Sequence, residues 1–312
     1  MPALAVMRIS QLLLPSWMAD TSEQLAPVAD HHNRVMCGDA EKVLRRLPAE
    51  CAQVIVTSPP YYQQRDYEHA EQVGFEASAE DSVQRLVRIF REARRTLHRG
   101  GTLWLNLGDK YEGGRLLGLP WRTALGLQED GWILRSDIVW YKPNAMPSSV
   151  KNRPTTDHEY VFLFAKSEAY YYDPDAIREP HVTFGEKSRM RGGRNHFGRR
   201  GGTPEQGKNG GHANLHTARW DQAFHPKGRN KRTVWEIPLS KFPGAHFAVF
   251  PERLVEHCVL AGSQPGDLVL DPFLGSGTTA VVAQKLGRCY TGIDSNAEYC
   301  RMARKRIVNQ LR

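Results

Sequence analysis

The chain has 312 residues, enough for one large α/β domain or two small ones. With 40% hydrophobic and 24% charged residues it has the ordinary make-up of a soluble globular enzyme. A net charge of +8 points to an acidic partner, with nucleic acid first in line.

The first 30 residues read as a flexible leader. Leu12-Leu13-Leu14 is too short to span a membrane, and the stretch lacks the ordered zones of a secretory signal. No membrane role is expected. The five cysteines (37, 51, 258, 289 and 300) are odd in number and form no CxxC pair. They read as reduced, mostly structural thiols of a cytoplasmic protein, and no metal site is expected.

Val35 to Asp39 reads as a short strand ending at an acid, followed by a helix over Ala40–Leu47. Gln53 to Thr57 is a β-branched run stopped by Ser58-Pro59-Pro60, where the chain must leave the sheet. Glu80–Leu97 is amphipathic at helical spacing and is expected to end at Gly100-Gly101, before a strand over Thr102–Asn106. A helix over Leu119–Asp130 and strands over Ile133–Tyr141 and Tyr160–Ala165 follow, with a loop from Lys142 to His158. This alternation predicts a mostly parallel α/β sheet covered by helices.

The texture changes between Arg178 and Arg232. That segment holds thirteen Lys or Arg against four Asp or Glu, an excess of nine, so the rest of the chain is close to neutral. It also carries ten glycines and five histidines, with almost no apolar periodicity. It cannot build a core of its own. Regular structure resumes with a strand over Thr233–Ile237, a helix over Pro251–Ala261 and a strand over Leu268–Asp271. A helix over Thr278–Leu286, a strand over Cys289–Ile293 and a helix over Ala297–Ile307 complete the chain.

Two turns carry chemistry. Asp271-Pro-Phe-Leu-Gly275-Ser-Gly277-Thr-Thr279 joins a strand to a helix, so backbone can approach a ligand and the helix offers free N–H groups. Asp294 ends the next strand, nineteen residues after Gly275, at the separation of a carboxylate that holds a ribose diol. Gly275-x-Gly277-x-x-Ala280 also satisfies a dinucleotide fingerprint. That reading fails on position, because such a fold needs several strand–helix units after the fingerprint and here only one remains.

The second turn is Ser58-Pro59-Pro60-Tyr61, at a strand end. Prolines stiffen it, aim carbonyl oxygens outward and offer no N–H. An aromatic next to such acceptors suits a planar ring bearing an amino group: Tyr61 to stack, with Ser58 Oγ and the Pro59 carbonyl to accept its hydrogens.

With these turns the chain resembles the bacterial DNA amino-methyltransferases of the permuted β group. In that group the catalytic turn comes first, the target-recognition region second and the cofactor glycine turn last. Gly38-Asp39, Trp140-Tyr-Lys142-Pro-Asn144, Arg153-Pro154, His158-Glu159-Tyr160 and Phe247-Ala-Val-Phe250-Pro-Glu252 match as well, and the likeness spans about residues 34–308. The resemblance implies a Rossmann-like sheet of seven mostly parallel strands, S-adenosyl-L-methionine as methyl donor, and a base flipped from double-stranded DNA. It divides the chain into a catalytic half (31–178), a target-recognition region (179–232) and a cofactor half (233–312).

By the same resemblance Asp39, Phe250, Asp271, Phe273, Gly275, Ser276, Gly277, Thr278, Thr279 and Asp294 are the expected cofactor residues, and Ser58, Pro59, Pro60 and Tyr61 the catalytic ones. Lys142, Arg153, Arg189, Arg191, Arg194, Arg199 and Arg200 are the expected DNA contacts. A homodimer and a cognate restriction endonuclease are the further partners such enzymes have. Methylation at cytosine C5 would need a Pro-Cys nucleophile, and no cysteine here follows a proline. In the families this chain resembles, Ser at the place of Ser58 goes mostly with cytosine N4, the expected target. Adenine N6 stays the alternative, and RNA or protein amide methylation a more distant one.

Overall fold

The computed structural model describes residues 30–64, 72–180, 227–239 and 250–310. The leader (apart from Asp30) and most of the segment read as target-recognition region, including Arg189, Arg191, Arg194, Arg199 and Arg200, lie outside the described residues.

Alternation along each strand decides the architecture, because successive side chains point to opposite sheet faces. Ile55, Leu103, Leu105, Phe162, Phe164, Leu268 and Leu270 face one core; their neighbours Val54, Val56, Trp104, Val161, Leu163 and Val269 face the other. Both faces therefore need a helical cover. The first is covered by α1 (Ala40–Arg46), α2 (Ala79–Thr96) and α3 (Leu119–Glu129). The second is covered by α4 (Glu252–Gly262), α5 (Thr278–Lys285) and α6 (Ala297–Asn309). Side chains such as Phe90 and Phe162 are fully buried, each contributing roughly 1.5–3 kcal/mol. Asp39, Ser78 and Asn296 cap α1, α2 and α6 by accepting from backbone N–H groups of the first turn.

The strands in chain order are β1 (Arg34–Cys37), β2 (Ala52–Thr57), β3 (Leu97–Leu107), β4 (Tyr111–Glu112), β5 (Arg115–Leu116), β6 (Ile133–Tyr141), β7 (His158–Ala165), β8 (Val234–Glu236), β9 (Leu268–Asp271) and β10 (Cys289–Asp294). Eight of them form one sheet in the order β1-β10-β9-β2-β3-β7-β6-β8. β7 runs antiparallel to both neighbours and every other pairing is parallel. The mostly parallel α/β sheet is as expected, with eight strands in place of seven. The strand read over Thr233–Ile237 is the three-residue edge strand β8, paired parallel with β6.

Two further differences have local causes. The glycines expected to separate α2 from its strand lie inside β3, which begins directly at Leu97. A side chain at Gly101 would put its Cβ 2.9 Å from the Gln53 carbonyl of β2, so the glycine permits close strand approach. The β4–β5 hairpin has no counterpart among the expected elements. Gly113 and Gly114, at φ 55° and 79°, form its turn.

This topology brings the carboxyl ends of β1, β2, β3, β6, β9 and β10 to one edge of the sheet. The antiparallel β7 delivers its amino end, with Glu159, to the same edge. The central neighbours β2 and β9 end in the proline turn and the glycine turn, side by side. Among the described residues no helix is long and apolar enough to cross a membrane.

Candidate active site

A cavity runs along that edge. Ser58, Pro59, Pro60 and Tyr61 line one part, and Asp39, Phe250, Phe273, Gly275, Ser276, Thr278 and Asp294 line another. The structure thus brings together two motifs more than two hundred residues apart. It also adds residues that the sequence reading gave no role: Gln72, Asn106, Glu159, Asn296 and Tyr299.

At the glycine end, Asp294 is mostly buried. Its Oδ2 accepts from the Gly275 N–H at 2.8 Å and its Oδ1 from the Asn296 N–H at 2.8 Å. Burial raises its carboxyl above the ordinary aspartate range, against those two hydrogen bonds. Gly275 takes φ 53°, and a Cβ built there would meet nothing within 4 Å. Its left-handed backbone, rather than crowding, is what favours glycine. The hydroxyls of Ser276 and Thr278 accept from Arg306 Nη1 at 3.2 and 2.9 Å, while Arg306 Nη2 bonds Glu252. Arg306 of the last helix thereby fixes the turn from behind.

Three of the expected cofactor residues do not line the cavity. Asp271 is 1% exposed and accepts from Thr57 Oγ1 (2.6 Å), Thr279 Oγ1 (2.7 Å) and the Phe273 N–H (3.0 Å). It joins the end of β2 to the glycine turn and α5, and burial pushes its carboxyl up to about 6. Thr279 is its buried partner. Gly277 takes φ 91° with its Cα against Ala303, where a Cβ would lie 3.0 Å away. All three shape the turn, and none lines the cavity.

The proline end holds a polar cluster. Tyr61 Oη donates to Glu159 Oε2 at 2.7 Å, and Ser58 Oγ donates to Tyr61 Oη at 3.4 Å. Asn106 Nδ2 lies 2.8 Å from Glu159 Oε2, 2.9 Å from Tyr61 Oη and 3.3 Å from Ser58 Oγ. Burial first, and the Glu159 charge second, hold the Tyr61 hydroxyl well above the usual phenol range, so it remains a donor.

Lys142, an expected DNA contact, has a side chain that is largely buried rather than displayed on the outer surface. It lines the cavity, paired with Glu159 Oε1 and 4.5 Å above the Trp140 ring, and its side chain is 14% exposed. The β6–β7 hairpin draws it inward, since Trp140 is register partner of Glu159. Arg153 lies elsewhere, with its guanidinium 3.6 Å above the Tyr111 ring of the hairpin β4–β5.

The donor set fits an adenosyl sulfonium. Phe250, Pro272 and Phe273 offer apolar walls, Asp294 offers carboxylate oxygens, and the amino end of α5 offers N–H groups to a carboxylate. The family model described as DNA methylase, for N6 and N4 methyltransferases, matches residues 52–305. The chain belongs to the DNA methylase family. The Type II methyltransferase M.Cfr9I of Citrobacter freundii is 44% identical over 302 residues, covering 88% of this chain and 87% of that protein. M.SmaI of Serratia marcescens, also a Type II methyltransferase, is 40% identical over 306 residues, covering 89% and 91%. Among solved structures, a DNA modification methylase of Thermus thermophilus with S-adenosyl-L-methionine bound has a TM-score of 0.57 and 26% identity, over 89% of this chain and 94% of that one. The cytosine-N4-specific PvuII DNA methyltransferase shares the fold at a TM-score of 0.63, with 19% identity over 91% of this chain and 92% of that one.

Proposed function

We propose that this DNA methyltransferase is a site-specific Type II enzyme that methylates N4 of a cytosine flipped from duplex DNA. One observation carries the reading. The Ser58–Tyr61 turn and the Gly275–Asp294 pair face one cavity from neighbouring strands. S-adenosyl-L-methionine is the methyl donor, and when bound it supplies an electrophilic methyl on a good leaving group. Asp294 holds its ribose, the Phe273–Thr278 turn its methionine end, and Phe250 and Asp39 border the adenosine.

An exocyclic amine is a weak nucleophile because its lone pair is delocalised into the ring. Ser58 Oγ and the Pro59 carbonyl accept its hydrogens and favour the pyramidal nitrogen that can attack. Tyr61 stacks on the ring, and positioning supplies much of the rate. Ser58 in the first place of the turn goes, in the families this chain resembles, with cytosine N4.

The order of catalytic turn, basic segment and glycine turn supports assignment to the permuted β group. It also supports the division into a catalytic half (31–178), a target-recognition region (179–232) and a cofactor half (233–312). Its Type II relatives support a place in a restriction–modification pair with a cognate endonuclease, and a homodimer is the proposed assembly. The test is incubation with tritiated S-adenosylmethionine and duplex DNA, then mass spectrometry of the nucleosides. N4-methylcytosine is expected. N6-methyladenine alone would overturn the base assignment, and label confined to RNA or protein would overturn the substrate.

A further inference from the structure

Three side chains behind the proline turn form a directed chain of donors. Ser58 Oγ–H points to Tyr61 Oη at 3.4 Å, and Tyr61 Oη–H points to Glu159 Oε2 at 2.7 Å. Lys142 occupies the other carboxylate oxygen, leaving Oε2 to Tyr61 and Asn106. Since Ser58 gives its own hydrogen away, its lone pairs are what remain for a base amine. The chain ends on the only carboxylate that lines this half of the cavity among the described residues.

We propose that Glu159 is the acceptor of the proton released by the target amine, reached through Tyr61 and Ser58. The inference rests on the proposed amine chemistry and holds for cytosine N4 or adenine N6 alike. As the N–CH3 bond forms, the electron pair of the broken S–CH3 bond stays on sulfur and the amine nitrogen gains a positive charge. One of its hydrogens passes to Ser58 Oγ, the Ser58 proton moves to Tyr61 Oη, and the Tyr61 proton moves to Glu159 Oε2. Ser58 and Tyr61 end as they began, and Glu159 ends neutral. Before transfer, the same polarised chain makes Ser58 a stronger acceptor, which stabilises the charge developing on nitrogen. In this scheme Glu159 acts through Tyr61 and Ser58 and is a positioning residue whose basicity is used.

A purely architectural Glu159 and a proton-accepting one differ in their tolerance of glutamine. Glu159→Gln keeps the size and an oxygen to accept from Tyr61, but removes the basic carboxylate. Tyr61→Phe keeps the ring and the Lys142–Glu159 pair, but breaks the chain. The expected result for each is a single-turnover methyl-transfer rate lower on the order of 10²-fold. S-adenosylmethionine affinity by calorimetry, and duplex affinity, should be unchanged. The double variant should be no slower than the slower single one, because one chain is broken once. A wild-type rate in either single variant overturns the proposal, as do multiplicative losses in the double. Should Glu159→Gln fail to fold, Tyr61→Phe alone decides. Product analysis of the same digests separates the two levels. Methyl on a ring carbon overturns the amine reading and this inference together, whereas a methylated amine with an undiminished Tyr61→Phe rate overturns the inference alone.

Discussion

Gly108 stands so close to Tyr61 that a Cβ at position 108 would lie 2.7 Å from the ring carbon Cε2 and 3.3 Å from the Glu159 carboxyl carbon. The glycine just beyond β3 therefore sets where the Tyr61 ring can sit. Gly108→Ala is expected to push the ring off its hydrogen bond to Glu159. A misplacement of about 1 Å at a positioning group can cost on the order of 10²-fold in rate. Methyl transfer should fall accordingly while S-adenosylmethionine still binds, which calorimetry beside a turnover assay would read. An unimpaired Gly108→Ala enzyme would mean that the Tyr61 position is not critical.

Asp294 tests the other end of the cavity. Its two oxygens each hold a backbone N–H, of Gly275 and Asn296. Asp294→Ala removes both the proposed ribose acceptor and the brace of the glycine turn. Cofactor binding should weaken by at least ~1.5–3 kcal/mol, the scale of one hydrogen bond to a charged group. Asp294→Asn keeps one acceptor and should lose less. Unchanged calorimetric affinity in a folded Asp294→Ala protein would remove this residue from the cofactor site.

The cofactor strands can be read from the sequence because their signals are local. Leu268–Asp271 is a short apolar run fixed by turn residues on both sides, and its boundaries match the structure residue for residue. Tyr61 is legible for the same reason, as the aromatic after two prolines. Its partners are not. Asn106 and Glu159 are 53 residues apart and meet only because β3 and β7 pair antiparallel, with Leu107 opposite Tyr160. No spacing within either strand encodes that register. The burial of Lys142 is not legible either, because a lysine after a strand looks exposed until the hairpin partner that pairs with it is known. Asp271 is the converse case. Its place in the motif suggests a ligand contact, and burial among Thr57, Thr279 and Phe273 gives it a structural task.

That burial has a pH consequence. The folded protein holds the Asp271 carboxyl at about 6, against an ordinary 3.8. The native state therefore binds this proton more tightly than the unfolded chain does. Its contribution to stability is greatest below about pH 4, falls as pH rises, and levels off above about pH 6. The offset corresponds to roughly 3 kcal/mol. Asp271→Asn does not titrate and should lack the fall. Urea unfolding across that window should show the wild-type stability minus the variant stability declining with pH by about this amount, and a flat difference would contradict it.

Sequence specificity is predicted to reside in the basic segment whose two ends the structure joins. Glu179 and Arg229 exchange backbone hydrogen bonds at 3.0 and 2.9 Å, and their side chains form an ion pair at 3.0 Å. Arg178 adds a bond to the Gly228 carbonyl at 3.0 Å and a pair with Asp175. The chain leaves and re-enters the described fold at the isolated Glu179–Arg229 pair outside the sheet, so exchange of the residues between is expected to leave that fold undisturbed. Replacing residues 186–224 by the corresponding segment of a Type II relative with another target should move the methylated sequence and leave S-adenosylmethionine affinity intact. Neutralising Arg199 and Arg200 should weaken duplex binding and reduce the slope of log affinity against log salt by up to about two, as expected for two lost phosphate contacts. A guanine contact would appear differently, as relaxed preference at one base pair with little change in slope. Base-resolved sequencing of DNA from cells expressing each variant reads the outcome. If deleting residues 186–224 leaves the methylated sequence unchanged, the segment is a solvated linker, and specificity lies instead in the loop between Lys142 and His158.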